Sequence, residues 1–392
     1  MPISVFLAAV ALSQPVAAQA ADDYAALFTR STDMINRMFY DASRKDEKVR
    51  TFAKYKDIAG KAASREEFGE IMNRMIEEFN DSHFAFLGND EQGYYTFDGL
   101  QKSLSANGIN AGAAMPHIGA WFRRDGNRYF VQMIVNGGEA ERAGLRKGDE
   151  LLTVDGGKFK PIRPFEGAIG KEVMIGYRRG TKEAEVKVKV NSEPALRMFL
   201  NASRNSRRVI EQGGKRLGYF HLWTQSSEDF ITATHSAVAS LQDTDAFILD
   251  LRDGFGGRPE RYADPFFRPG TKLEWTTGGA TQTQYYGYSK PLIVLINEGS
   301  RSAKEVLSYI LKSSGRATLV GRTTAGAVLG TTPLRLNDWA FLEIPMVRLK
   351  VDGQTLEDKG VDPDIAVKDE FDATGKDLIL EKGIETALSK LK

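Results

Sequence analysis

The chain has 392 residues, room for two or three domains, and 53 Lys plus Arg stand against 52 Asp plus Glu for a formal net charge of +1. That balance leaves no global field to favour nucleic acid or an anionic membrane. The chain has no cysteine, which excludes disulfides, thiol catalysis, thiolate metal sites and a lipid-modified N-terminal Cys.

Residues 1–20 read as a secretory signal peptide, with a short apolar run through Phe6, Leu7 and Val10 and a small-residue exit at Ala17-Ala18-Gln19-Ala20. Cleavage is expected after Ala20, although no Lys or Arg precedes the apolar run. That run is too short for a bilayer span, and no later segment approaches the roughly 20 uninterrupted apolar residues one needs. The mature protein is expected to be exported, periplasmic or extracellular, without stable membrane insertion.

Residues 21–99 form a helical N-terminal segment. Ala25, Leu27, Met34, Ile35 and Met38 share one helix face, and Phe68, Ile71, Met72, Met75, Ile76 and Phe79 share another. Ser64-Arg65-Glu66-Glu67 opens the second helix, and at Asn80-Asp81-Ser82-His83 the chain turns irregular. Residues 100–192 change to short strands, predicted at 128–135, 150–154, 173–177 and 184–190, with turns at Asp155-Gly156-Gly157 and Arg179-Gly180-Thr181. Over 193–392, strands at 218–222, 246–251, 291–296 and 318–321 alternate with helices, as in an α/β layered core.

Ser302 lies where the apolar strand 291–296 gives way to a helix bearing Val306, Leu307, Ile310 and Leu311. A hydroxyl there sits among backbone N–H groups at the positive end of a helix dipole, where an oxyanion is stabilised. Ser302 and Glu305 also have the Ser-x-x-Glu spacing of a capping box, which would only start the helix. Both readings stand on the local sequence. A serine nucleophile needs a base poised near neutrality, which suits imidazole, and an acid to orient it.

Four separated motifs resemble one family, the tail-specific or C-terminal processing serine peptidases. Gly138 to Gly156, with Ala143-Gly144-Leu145-Arg146-Lys147-Gly148-Asp149, is similar to a PDZ domain; Leu249 to Gly257, Asn297 to Glu305, and Gly360-Val361-Asp362-Pro363-Asp364 are similar to the catalytic core. The resemblance implies a multidomain α+β/αβ protein: the helical segment, a PDZ domain over 100–192, and a core like the crotonase and Clp-protease layer fold over 193–392. In the branch with a Ser-Lys dyad the lysine follows a Thr-x-Gly turn, whereas here Thr324-Ala325-Gly326 is followed by Ala327. Lys304 is no substitute, because two residues along a helix its side chain points away from Ser302. The tricorn-like branch instead implies Ser302 as nucleophile, His83 as base and Glu357 as orienting acid, acting directly or through Ser82. Backbone N–H groups of Gly257 and Ala303 would form the oxyanion hole. One ionisation near the imidazole reference of about 6.5 is then expected in the activity profile.

His221, in a strand near the core, is the alternative base; His235 is expected to be solvated and His117 to flank the PDZ ligand loop. Asp250 and Arg252 look catalytic by type, but the resemblance makes them structural. The histidines have no metal-ligand spacing, so no metal is expected, and no cofactor is implied. The PDZ loop Ile118-Gly119-Ala120-Trp121-Phe122 is expected to bind substrate tails, making proteins or peptides with free C-termini the expected partners, and no nucleic acid. The other readings are a module that only spaces His83 from the core, an inactive PDZ scaffold, and an esterase with the same triad.

Overall fold

The structure is a computed structural model that describes residues 22–103, 108–268 and 271–392. The expected signal peptide lies outside the described residues.

Three helices open the chain, Tyr24–Met38, Lys45–Gly60 and Arg65–Glu77. Asp23 caps the first by accepting from Ala26 N–H, and Ser64 caps the third by accepting from Glu67 N–H. Their apolar stripes, with Leu27, Ile35, Phe52, Phe68 and Met72, meet in one core. The helical reading stops short after Phe79. Ala85–Gly88 is a strand, paired antiparallel with Ala340–Glu343, which in turn pairs with Pro333–Arg335. Phe68, Phe86 and Trp339 lock this union edge to face, Phe86 lying 5.3 Å from Phe68 and 5.9 Å from Trp339 between ring centroids. A further helix, Gln92–Lys102, follows where the sequence showed no clear periodicity.

The middle module is an antiparallel sheet in the order Ala120–Asp125, Arg128–Ile134, Glu150–Val154, Glu172–Arg179, Lys182–Lys189. Its own core holds Ile118, Val131, Leu151, Phe159, Phe165 and Ile175. Ala114–His117 pairs with Asn191–Pro194, so the module's entering and leaving chains run side by side.

The last part is a six-stranded sheet in the order Arg208–Gln212, Lys215–His221, Ala246–Asp250, Leu292–Ile296, Thr318–Gly321, Ile365–Ala366. All pairings but the first are parallel. Both faces are covered, which is why its central strands are unbroken apolar runs. Phe247, Leu249 and Val294 pack with Leu307 and Leu311 of helix Ala303–Ser313. Ala246, Ile248, Ile293 and Leu295 pack with Ile379 and Ala387 of helix Leu378–Ser389. The carboxyl ends of the parallel strands bring the segments after Asp250 and after Ile296 to one edge, where open α/β sheets bind ligands. A hairpin absent from the sequence reading, Thr271–Thr277 with Ala280–Tyr286, leaves Leu273 and Trp275 49% and 40% exposed. Among the described residues no helix is long and apolar enough to cross a membrane.

Candidate active site

Ser302 occupies a strained elbow. Its φ of 59° puts a non-glycine residue in left-handed backbone immediately before helix Ala303–Ser313, a conformation costing roughly 1–3 kcal/mol that persists only where its surroundings impose it. Those surroundings centre on Glu305, which is fully buried. The Glu305 carboxylate accepts from Ser302 N–H at 3.0 Å, Gly326 N–H at 2.7 Å, Ala327 N–H at 2.9 Å and the Thr324 hydroxyl at 2.7 Å. Burial pushes its carboxyl pKa up, and these bonds pull it back down. Ser302 N–H also donates to the Ala327 carbonyl at 2.9 Å, while Glu305 N–H closes onto the Ser302 carbonyl at 2.8 Å. Glu305 therefore does more than start a helix. It fastens the elbow to the 324–327 loop, a role its Ser-x-x-Glu spacing half disclosed.

The turn 253–257 lies against the elbow. A methyl group on Gly256 would sit 2.5 Å from the Ala303 nitrogen and 2.6 Å from the Ser302 Cβ, so only glycine fits. Gln225 N–H donates to the Gly256 carbonyl and Arg258 N–H to the Gln225 carbonyl, each at 2.9 Å. Among the described residues, the Gly257 and Ala303 N–H groups donate to no protein acceptor. The Gln225 carboxamide and the Ser226 hydroxyl, buried beside Gly257, also find no partner there. The sequence reading missed both residues, since nothing in the local pattern marks them.

His83 is carried by the N-terminal layer. It lies two residues before Ala85, whose register partner is Glu343. Asp81 holds the preceding turn through Arg44 and through the Tyr40 hydroxyl at 2.8 Å. The Asn73 carboxamide bonds both backbone groups of Phe86, at 2.8 and 2.9 Å. His83 is buried, with φ of 55°. Desolvation, helped by the charge of Arg301, pushes its imidazole pKa down to about 3. The ring is thus neutral at physiological pH, whereas a solvated cation at a helix end would be charged. The Ser82 hydroxyl and His83 Nδ1 are 2.9 Å apart.

Ser82 and Glu357 line one open cleft of about 910 Å³, together with Ala325, Gly326 and Ala327. Glu357 accepts from Val328 N–H, and Asp358 N–H donates to the Gly326 carbonyl at 2.8 Å, so the 357 loop is sewn onto the 326 loop. Ala327, at the position of the missing lysine, uses its backbone on Ser302 and Glu305. The cleft thus gathers Ser82 and Glu357 beside the loop that holds Ser302, and Arg301 acts electrostatically on His83.

The other histidines are committed elsewhere. His221 stacks on Trp223 with centroids 4.0 Å apart, its Nε2 is 2.9 Å from the Arg252 carbonyl, and burial pushes it down to about 4. His235 is 3.1 Å from the Arg261 carbonyl, and His117 Nδ1 accepts from Gly119 N–H at 3.1 Å. Asp250 pairs with Arg252, which also reaches Asp377 at 2.7 Å, and Tyr219 donates to Asp250 at 2.8 Å. No cluster of acids and histidines among the described residues could hold a metal ion.

The loop Ile118–Phe122 is engaged within the chain. Ile118 and Ala120 are fully buried, and a methyl on Gly119 would lie 2.8 Å from Gly138 Cα. Trp121 packs on Phe199 with centroids 5.3 Å apart, and Phe122 packs on Phe159 at 4.9 Å. The free edge of strand Ala120–Asp125 is taken by Gln92, whose carboxamide donates to the Ala120 carbonyl and accepts from Phe122 N–H, each at 2.9 Å. This is the bonding a peptide strand would make.

Comparisons with known proteins agree with this architecture. Residues 216–367 match peptidase family S41. The chain is 25% identical over 307 residues to the carboxy-terminal processing protease CtpA of Bacillus subtilis, covering 74% of this chain and 62% of that one. It is 26% identical over 267 residues to the carboxyl-terminal-processing protease of Synechocystis, covering 62% and 60%. The chain thus spans about 60% of the length of these two relatives. Among solved structures, the photosystem II D1 C-terminal processing protease aligns with a TM-score of 0.53 at 21% identity over 91% of this chain and 96% of that one. The tricorn protease aligns with a TM-score of 0.57 at 17% identity over 94% and 37%. These two likenesses are of fold, and in sequence the similarity to peptidase family S41 is carried by residues 216–367.

Proposed function

We propose that the chain is an exported serine peptidase that hydrolyses peptide bonds in or near the C-terminal tails of proteins. The observation that carries this reading is the elbow: a strained, surface-edge Ser302 with two unengaged N–H groups, of Gly257 and Ala303, packed around it. In the reaction, the Ser302 Oγ attacks the scissile carbonyl carbon while His83 Nε2 takes its proton. His83 Nδ1–H donates to the Ser82 hydroxyl, which fixes the tautomer, and Glu357 stabilises the resulting imidazolium through Ser82. The oxyanion receives the Gly257 and Ala303 N–H groups. Collapse breaks the C–N bond, and His83 returns the proton to the leaving amine. Water then repeats the sequence on the acyl-enzyme. No step needs a cofactor.

The middle module is, on this reading, a PDZ domain that recognises free C-termini. Support comes from its separate β core and from the Gly119 turn beside the strand edge.

A fluorophosphonate probe followed by mass spectrometry tests the proposal. The adduct is expected on Ser302, is lost in Ser302→Ala and is strongly slowed in His83→Ala. No labelling of the wild-type chain would favour a binding protein that has lost activity. Labelling with turnover of esters and none of peptides would favour an esterase.

A further inference from the structure

Lys304 stands two residues beyond Ser302 and is completely buried. Its ammonium does not approach the nucleophile. Lys304 Nζ donates to the Asp253 carbonyl at 2.6 Å and reaches the Arg252 carbonyl at 3.5 Å. It lies 3.1 Å from the point where a Cβ on Gly254 would stand. One side chain thus ties the first turn of the nucleophile helix to the start of the turn that presents Gly257.

That turn needs holding. Asp253 and Gly254 are consecutive residues in left-handed backbone, with φ of 51° and 69°. Other groups steady its outer side. Asp253 N–H donates to Asn297 Oδ1 at 3.0 Å, and the Asp253 carboxylate accepts from Asn297 Nδ2 at 3.1 Å and from Lys147 of the middle module at 2.7 Å. Gly254 N–H points to Met133 Sδ at 3.3 Å. Among the described residues, only Lys304 connects a side chain of helix Ala303–Ser313 to a carbonyl of this turn. A buried ammonium is costly, so its retention here calls for a role beyond filling space. Burial pushes Lys304 down to about 7 against the pull of Asp250 and Asp253, but an amine in either charge state still donates N–H to the Asp253 carbonyl.

We infer that Lys304 is a positioning residue for the oxyanion hole: it fixes the spacing between the Ala303 N–H on the helix and the Gly257 N–H on the turn. The inference rests on the peptidase reading and extends it. A residue of this kind acts on the transition state and leaves substrate binding largely alone.

The test uses Lys304→Met and, because the chain has no cysteine, Lys304→Cys alkylated in denaturant and refolded. Bromoethylamine on that thiol rebuilds a lysine-like amine, and propyl bromide gives a neutral side chain of similar length. Lys304→Met is expected to lower kcat and the rate constant of fluorophosphonate labelling by about 10²-fold, the loss typical of one oxyanion donor. KM should stay within about twofold. The aminoethyl protein should regain most of the loss and the propyl protein none. If Lys304→Met does not fold, the aminoethyl and propyl pair gives the same answer. Wild-type kcat in Lys304→Met, or equal rates for the aminoethyl and propyl proteins, would overturn the inference and leave the peptidase reading standing. A wild-type chain that the probe does not label removes both.

Discussion

Two glycine-containing loops of this chain look alike as ribbons of backbone donors, yet they end in opposite states. At the turn 253–257 the glycines let the backbone lie against Ser302, and the Gly257 N–H is left unengaged. At 117–122 the Gly119 N–H donates to His117 Nδ1, and the Gln92 carboxamide bonds Ala120 and Phe122. The difference lies in neither loop. It comes from residues far away in sequence: Lys304, which bonds the Asp253 carbonyl of the first, and Gln92, which closes the second. Availability of a donor is a tertiary property, and a loop's own residues only permit it.

The largest expected effect breaks the comparison at the first loop. His83→Ala should lower kcat/KM for a peptide substrate by about 10⁴-fold or more, since the members of such a set act as a unit. If His83→Ala stays active while His221→Ala does not, the base is misassigned. The pH profile sharpens the point. With the His83 pKa held near 3, the acidic limb of kcat/KM should fall well below 6.5, which corrects the expectation of a rise near the imidazole reference. A limb at 6.5 would mean that His83 is solvated before substrate binds.

The same burial should appear in stability. A histidine whose folded pKa lies below its unfolded value keeps its stabilising effect above about pH 6.5 and loses it as pH falls from there toward the folded value. Glu91 and Glu343, which burial pushes up to about 7, act in the opposite sense, so the readout must be a difference between variants. Between pH 7 and pH 5, denaturant titrations of wild type should lose about 2 kcal/mol more than those of His83→Gln. Equal slopes would contradict a buried neutral ring.

At the second loop, Gln92→Ala should free the strand edge. A free-acid peptide ending in Val or Leu is expected to bind the full chain about tenfold more tightly than it binds wild type, in keeping with one or two backbone bonds regained. Unchanged affinity would mean that the edge is closed by more than Gln92, and no binding to either would reduce the module to a spacer. The smallest effect concerns strain. Ser302→Gly should raise unfolding stability by about 1 kcal/mol while abolishing turnover, because glycine adopts a φ of 59° freely. A destabilised Ser302→Gly would show that the elbow is not strained.

The sequence was most legible where one segment determines its own structure. The strands at 150–154 and 318–321 have the bounds their patterns predict, and Ser64 caps its helix as its spacing suggests. The elbow was visible because an apolar run, a small-residue turn and a helical stripe follow one another. What was hidden depends on partners remote in sequence. Helix Lys45–Gly60 presents charge on much of its surface and buries only Phe52, Tyr55 and a few neighbours, so its periodicity is faint. Strand Ala85–Gly88 is four residues long and becomes a strand through Ala340–Glu343. The contacts of Lys304 and Gln92 rest on single side chains that reach segments remote in sequence, which no periodicity encodes.

The pairing of Ala85–Gly88 with Ala340–Glu343 also sets an order of events. A ribosome delivers His83 long before the strand that seats its layer, and Glu357 follows that strand. A contact spanning so much chain is slow to form and late to reward. On the proposed reading, Ser302 has no base beside it until that contact closes. On that reading a growing polypeptide is chemically silent until residues 340–343 have been made, and a product truncated before them stays silent.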